Sequence, residues 1–149
     1  MLNPVKIVFS SLLDFRSTMR LRKEAYEHAA NMEFISPQEK ERFKNCWFQS
    51  TESLISLEER LQEMERHAED LEDEEKKPLK SGLYYAMAKS TTNGLTVNLS
   101  LQLGDLWLVR SFEELLSSID FSQLKCIQEE IKRYILCLKS GLPNDYALY

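Results

Sequence analysis

Glycine and proline are scarce in this chain, four of each in 149 residues. So few breakers leave little room for long irregular segments, and low-complexity linkers are absent. Glycine-rich phosphate loops are missing too. There is no G-x-G-x-x-G and no P-loop, which weighs against nucleotide binding, and no H-E-x-x-H or EF-hand loop. The three cysteines (Cys46, Cys126, Cys137) form no C-x-x-C, and neither histidine stands at a metal-ligand spacing from them. They read as reduced, mostly structural thiols. No segment approaches the roughly 20 apolar residues of a membrane-crossing helix. The apolar run from Val5 to Leu13 is broken by Lys6 and no small-residue cleavage site follows, so a leader is not expected. A basic surface is lacking as well. The formal net charge is −5, and contacts to phosphate need clustered Lys and Arg. These absences point to a cytoplasmic or nuclear protein with no cofactor, no metal, no membrane association and no direct nucleic-acid contact.

What the sequence does hold is helical periodicity. Phe43, Trp47, Ser50, Leu54, Leu57, Leu61, Met64, Ala68 and Leu71 alternate steps of four and three, a heptad seam broken only by Ser50. Ser36-Pro37-Gln38-Glu39 gives an N-cap serine, a proline at N1 and a glutamate at N3, and Pro78 sets the far limit. One long amphipathic helix is therefore expected from Ser36 to about Lys77. Upstream, Asn3-Pro4 repeats the cap, and Val5, Val8, Leu12, Phe15, Met19, Tyr26 and Ala29 make a second seam in which Arg22 fills the one missing place. Two such helices joined by a few residues fold back as an antiparallel, coiled-coil-like hairpin.

Beyond Pro78 the period changes. Leu95, Val97, Leu99, Leu101 and Leu103 alternate with polar residues, the pattern of a strand with one buried face. Asn93-Gly94 and Gly104-Asp105 are hairpin-turn dipeptides. The expectation is a three-stranded β-meander at about 83–90, 95–103 and 106–111. A capping box at Ser111-Phe112-Glu113-Glu114 would then open a short helix. Asp120 would cap a final helix carrying Phe121, Leu124, Ile127, Ile131, Tyr134, Ile135 and Leu138, ending at Ser140-Gly141. The fold class expected is α+β, mainly helical: a helical hairpin over residues 1–78, with the meander and two C-terminal helices of 79–149 packed on it as a single structural unit. The tail from Asn144 to Tyr149 has enough apolar residues to dock.

Chemistry-bearing motifs are weak. Arg22 and His28, six apart on the first helix, resemble the Arg and His of some HEPN-type ribonucleases. That likeness implies action on an RNA 2′-OH and its phosphate. Six residues is a poor same-face spacing, which favours an exposed surface histidine instead. His67, between Glu63 and Asp70, has no second ligand to make a metal site.

The stronger candidates are surfaces for a protein partner. Phe48 and Ile55 sit beside the seam residues Trp47 and Leu54 and widen the apolar stripe beyond what a two-helix hairpin buries. The acidic run Glu69 to Glu75, with Glu72, Asp73, Glu74 and Glu75 at its centre, would suit a basic protein. Trp107 lies off the meander's main apolar face. The function expected is a non-enzymatic interaction module, an adaptor or assembly subunit, with the long helix mediating assembly and either a second copy (a homodimer) or a basic protein as partner. An acidic inhibitor of a basic nuclease or nucleic-acid-binding protein is the alternative, and a HEPN-like ribonuclease the remote one.

Overall fold

Both N-terminal helices begin where their caps place them. In a computed structural model, which describes residues 3–68 and 70–142, α1 spans Pro4–Ala30 and α2 spans Pro37–His67. The Asn3 side chain accepts from the Val5 amide, and Ser36 Oγ accepts from the Glu39 amide at 3.1 Å. The pair runs antiparallel. Arg16 meets Glu58, Arg22 meets Ser50 and Tyr26 meets Phe43, so the partner on α2 moves backward as α1 moves forward.

The long helix stops about ten residues short of the expected Lys77. Ala68 is already extended, and residues 70–79 cross α1 as an irregular strap. Negative charge at a helix C-terminus opposes the macrodipole, whereas two arginines of α1 offer the strap's carboxylates direct partners. Asp73 accepts from both terminal guanidinium nitrogens of Arg16, and Glu75 takes Arg20 at 3.2 Å. Ser17 Oγ donates to the Lys76 carbonyl, and the Leu79 amide donates to Thr18 Oγ1. Leu71 stays buried without the helix.

The expected β-meander is not there. The described residues form five helices and no strand, so the fold is all-α rather than α+β. In place of the strands stand α3 (Ser81–Lys89) and α4 (Gly94–Ser118). The buried side chains of α4, among them Val97, Leu101, Leu108, Phe112 and Leu115, recur at helical steps. The leucines that completed the period-two pattern lie on its other face. Asn93 caps α4 by accepting from the Thr96 amide, where a two-residue turn was expected. Ser111 sits mid-helix and bonds back to the Trp107 carbonyl, so its capping box opens nothing. The last helix, α5, spans Lys125–Ser140, with Gly141 at its C-cap; Asp120 accepts from the Ser122 amide in the turn before it. Pro143 and the tail 144–149 lie outside the described residues.

Helix α1 packs against α2, α3 and α4, and α4 packs against α3 and α5. Helix α5 closes the ring through side chains: Arg60 of α2 binds Glu130, and Tyr134 reaches Ser56. Thus α1, α2, α5 and α4 surround one core running from Val8 to Leu138, with α3 lying across α1 and α4.

Candidate functional site

A charged cluster sits at the centre of the helical core. Arg22, the break in the first seam, is 3% exposed, and Asp105 of α4 is 1% exposed. Arg22 Nε donates to Asp105 Oδ1 at 2.8 Å and its second terminal nitrogen to Oδ2 at 3.2 Å. The other terminal nitrogen bonds Ser50 Oγ, the break in the second seam, and Ser50 in turn donates to the Cys46 carbonyl. Tyr26 donates to Asp105 Oδ2 at 2.6 Å, and Tyr85 donates to Oδ1. Each carboxylate oxygen thus accepts two hydrogen bonds, and every guanidinium nitrogen donates one.

Helix geometry explains how the cluster assembles. Arg22 and Tyr26 are one turn apart on α1, and the guanidinium lies 4.8 Å from the Tyr26 ring centroid. Gly104 makes the approach of α3 possible. A Cβ at that position would stand 2.6 Å from the Tyr85 ring, so only glycine lets the phenol slide past α4 to reach Asp105. Burial is the largest single influence and would lower the Arg22 pKa, but the Asp105 charge, its hydrogen bond and the two phenols together outweigh it and hold the guanidinium well above its ordinary value. Burial, and then the Asp105 charge, pushes both phenols well up.

This cluster is sealed. The cavity beside it, lined by Met19, Arg22, Ser50, Phe112 and Tyr134 among others, measures about 10 Å³, room for about one water and no substrate. Its chemistry is structural. Arg22 and His28 do not converge on a cleft: the guanidinium is spent on Asp105, and His28 Nε2 lies 2.7 Å from the Thr91 carbonyl. Among the described residues no group of His, Cys, Asp and Glu is arranged to hold a metal. An open groove of about 680 Å³ between the start of α2 and the end of α5 is lined by Gln38, Glu41, Arg42, Asn45, Cys46 and Gln49 among others.

The acidic residues are not a projecting tip. Asp73 lies on Arg16 and Glu75 on Arg20, while Glu74 pairs with Lys76 and Glu72 is exposed. The Arg16 hydrogen bond lowers the pKa of Asp73. Glu69 falls outside the described residues.

The apolar candidates divide. Leu54 packs on the core and Trp47 is half-buried. Phe48 stacks on Trp47 at 5.4 Å between centroids but stays 57% exposed, and Ile55 stays 55% exposed one heptad on. No described element covers them. Trp107 is exposed on α4, with Arg110 over its ring.

A larger apolar surface was hidden by the strand reading. Leu95, Leu99, Leu103 and Leu106 lie on one face of α4 at steps of four, four and three. Leu95 is 79% exposed, Leu99 is exposed, and Leu103 and Leu106 are half-buried. On α3, Leu83 is 67% exposed and Met87, one turn on, is also exposed. Tyr85 against Gly104 holds the two helices side by side, and each keeps an exposed apolar face. From Ser90 to Val109 the only charged side chain is the buried Asp105. The signal was present in the sequence: a helix apolar on both faces needs cover on both. No family model, curated protein or solved structure matches this chain.

Proposed function

We propose that this chain is a non-catalytic helical interaction module, an adaptor or assembly subunit, whose contact surface is the outer face of α3 and α4. One observation carries the reading. Helix α4 buries Val97, Leu101, Leu108 and Phe112 on one side and presents Leu95 and Leu99 on the other, with no charge between them. Uncovered apolar surface on this scale marks protein interaction sites. The sealed polar cluster supports it by fixing the register of α1, α3 and α4, and so the shape of that face. The free thiols of Cys46, Cys126 and Cys137 fit a reducing, intracellular setting, and no described helix is long and apolar enough to cross a membrane.

An acidic inhibitor has less support, because Asp73 and Glu75 are already engaged within the chain. The test is an affinity pull-down of the tagged chain from its native extract, beside a Leu95→Glu, Leu99→Glu variant. The expected result is a stoichiometric protein that survives high salt on the parent chain and is lost from the variant. Equal capture by both, or loss of the protein at high salt alone, would overturn the assignment to this face.

A further inference from the structure

We infer that the occupant of the α3–α4 face is a second copy of this chain, related by a two-fold axis passing near Leu99 and Leu103. The inference rests on the interaction reading above and names its partner.

Area is the first reason. Leu83, Met87, Leu95, Leu99 and Trp107 are the large exposed hydrophobics of α3 and α4. At about 200 Å² for a fully exposed side chain of this kind, they leave on the order of 600 Å² of apolar surface uncovered. A stable pair buries about 800 Å² per partner, and homodimer interfaces are about 65% apolar. The face therefore supplies the apolar share of a standard dimer. The Phe48 and Ile55 stripe on α2 offers two residues, each followed one turn later by an exposed glutamate, Glu52 or Glu59. Paired with itself, that stripe would oppose like charges.

Charge is the second reason. Two copies of a chain with net charge −5 repel one another, so they meet at least cost where neither presents a charge. The outer residues of α3 and α4 meet that condition from Leu83 to Met87 and again from Leu95 to Trp107. A basic partner gains nothing there. An anionic membrane would need a basic flank, which an acidic chain does not provide.

Shape is the third. The leucine stripe extends to either side of its own midpoint, as an isologous contact requires. An antiparallel α4–α4 pair centred near Leu99 and Leu103 brings Leu95 of one copy toward the Leu106–Trp107 end of the other. Gln102, half-buried on the same face, carries both a donor and an acceptor and can bond across the axis.

The experiment is sedimentation equilibrium of the purified full chain from about 1 to 100 μM, where moderate dimers dissociate. The parent chain should show twice the 17.5 kDa monomer mass. Leu99→Glu should return it to the monomer with its helical circular dichroism intact, and Phe48→Glu should leave the dimer in place. If Leu99→Glu fails to fold, Leu95→Glu serves the same purpose at a more exposed position. A parent chain monomeric throughout would overturn the inference, as would a dimer dissolved by Phe48→Glu and untouched by the α4 variants. A monomer that still captured a different protein through α4 would overturn self-pairing alone and leave the interaction reading standing.

Discussion

Arg16 and Arg22 stand six residues apart on α1, and both are almost wholly buried. Their counter-ions are of opposite kinds. Asp105 belongs to a helix in the core and is itself sealed, whereas Asp73 belongs to the irregular strap and keeps 47% of its side chain in solvent. Arg22 has an acceptor for each of its nitrogens. Arg16 Nε finds none among the described residues. The Asp105 carboxylate has no water to fall back on, and the Asp73 carboxylate does. A buried ion pair contributes little net stability, yet losing one member is costly because the other charge stays behind without a partner. Arg22 therefore ties α1 to α3 and α4 within the core, and Arg16 ties the irregular strap to α1 at the surface.

The largest effect that would sharpen this contrast is Asp105→Ala. It strands the Arg22 guanidinium and two phenols, and should cost about 3–5 kcal/mol in a circular dichroism melt. If Asp73→Ala costs as much, the two sites are not different in kind. Next is Gly104→Ala, whose Cβ would press on the Tyr85 ring. A loss of about 1–3 kcal/mol is expected, and Tyr85→Ala in the same chain should relieve the clash while removing the hydrogen bond.

Alkaline pH probes the sealed site further. Tyr26 and Tyr85 have raised pKa values in the folded chain, so their contribution is complete below the ordinary phenol value near 10. It is lost as pH rises above that value, because only the unfolded chain then ionises freely. Melts between about pH 8 and 11 should show a decline that is shallower in a Tyr26→Phe, Tyr85→Phe variant. The smallest effect is Asp73→Asn, about 1 kcal/mol or less, since the carboxylate is half in water and Glu58 and Glu75 remain near Arg16. Its signature is faster amide exchange at Leu79, whose amide bonds Thr18, with the core unchanged. The lowered pKa of Asp73 means that this contribution is present above the ordinary 3.8 and disappears only as pH falls through the lower folded value.

The caps and seams of α1 and α2 were legible because Asn3-Pro4 and Ser36-Pro37 act locally. The end of α2 was not, because it is decided by Arg16 and Arg20, more than 50 residues away in sequence. Helix α4 was misread for a different reason. Leucine at every second position from Leu95 to Leu103 satisfies a strand, but it equally satisfies a helix that is apolar on two sides. The longer series through Leu108, Phe112 and Leu115 decides for the helix. Of the candidate contact residues, Trp47, Phe48, Leu54 and Ile55 stand out in the sequence by their excess over a narrow seam, and Trp107 by its place off the face of a meander that does not form. Asp105, Tyr26 and Tyr85 were missed. A lone arginine in one apolar seam and a lone aspartate in another apolar stretch are complementary exceptions, and pairing them would have brought α4 to α1.

The link between Arg22 and Asp105 spans 83 positions, which has a consequence during synthesis. At about 5–20 residues per second, Asp105 emerges several seconds or more after Arg22. The α1–α2 hairpin can form in that interval, but with only Ser50 and the Tyr26 ring facing the cation. Until α4 arrives, the Arg22 charge has no Asp105 carboxylate to neutralise it. The last large helix but one is what turns an open hairpin into a closed molecule.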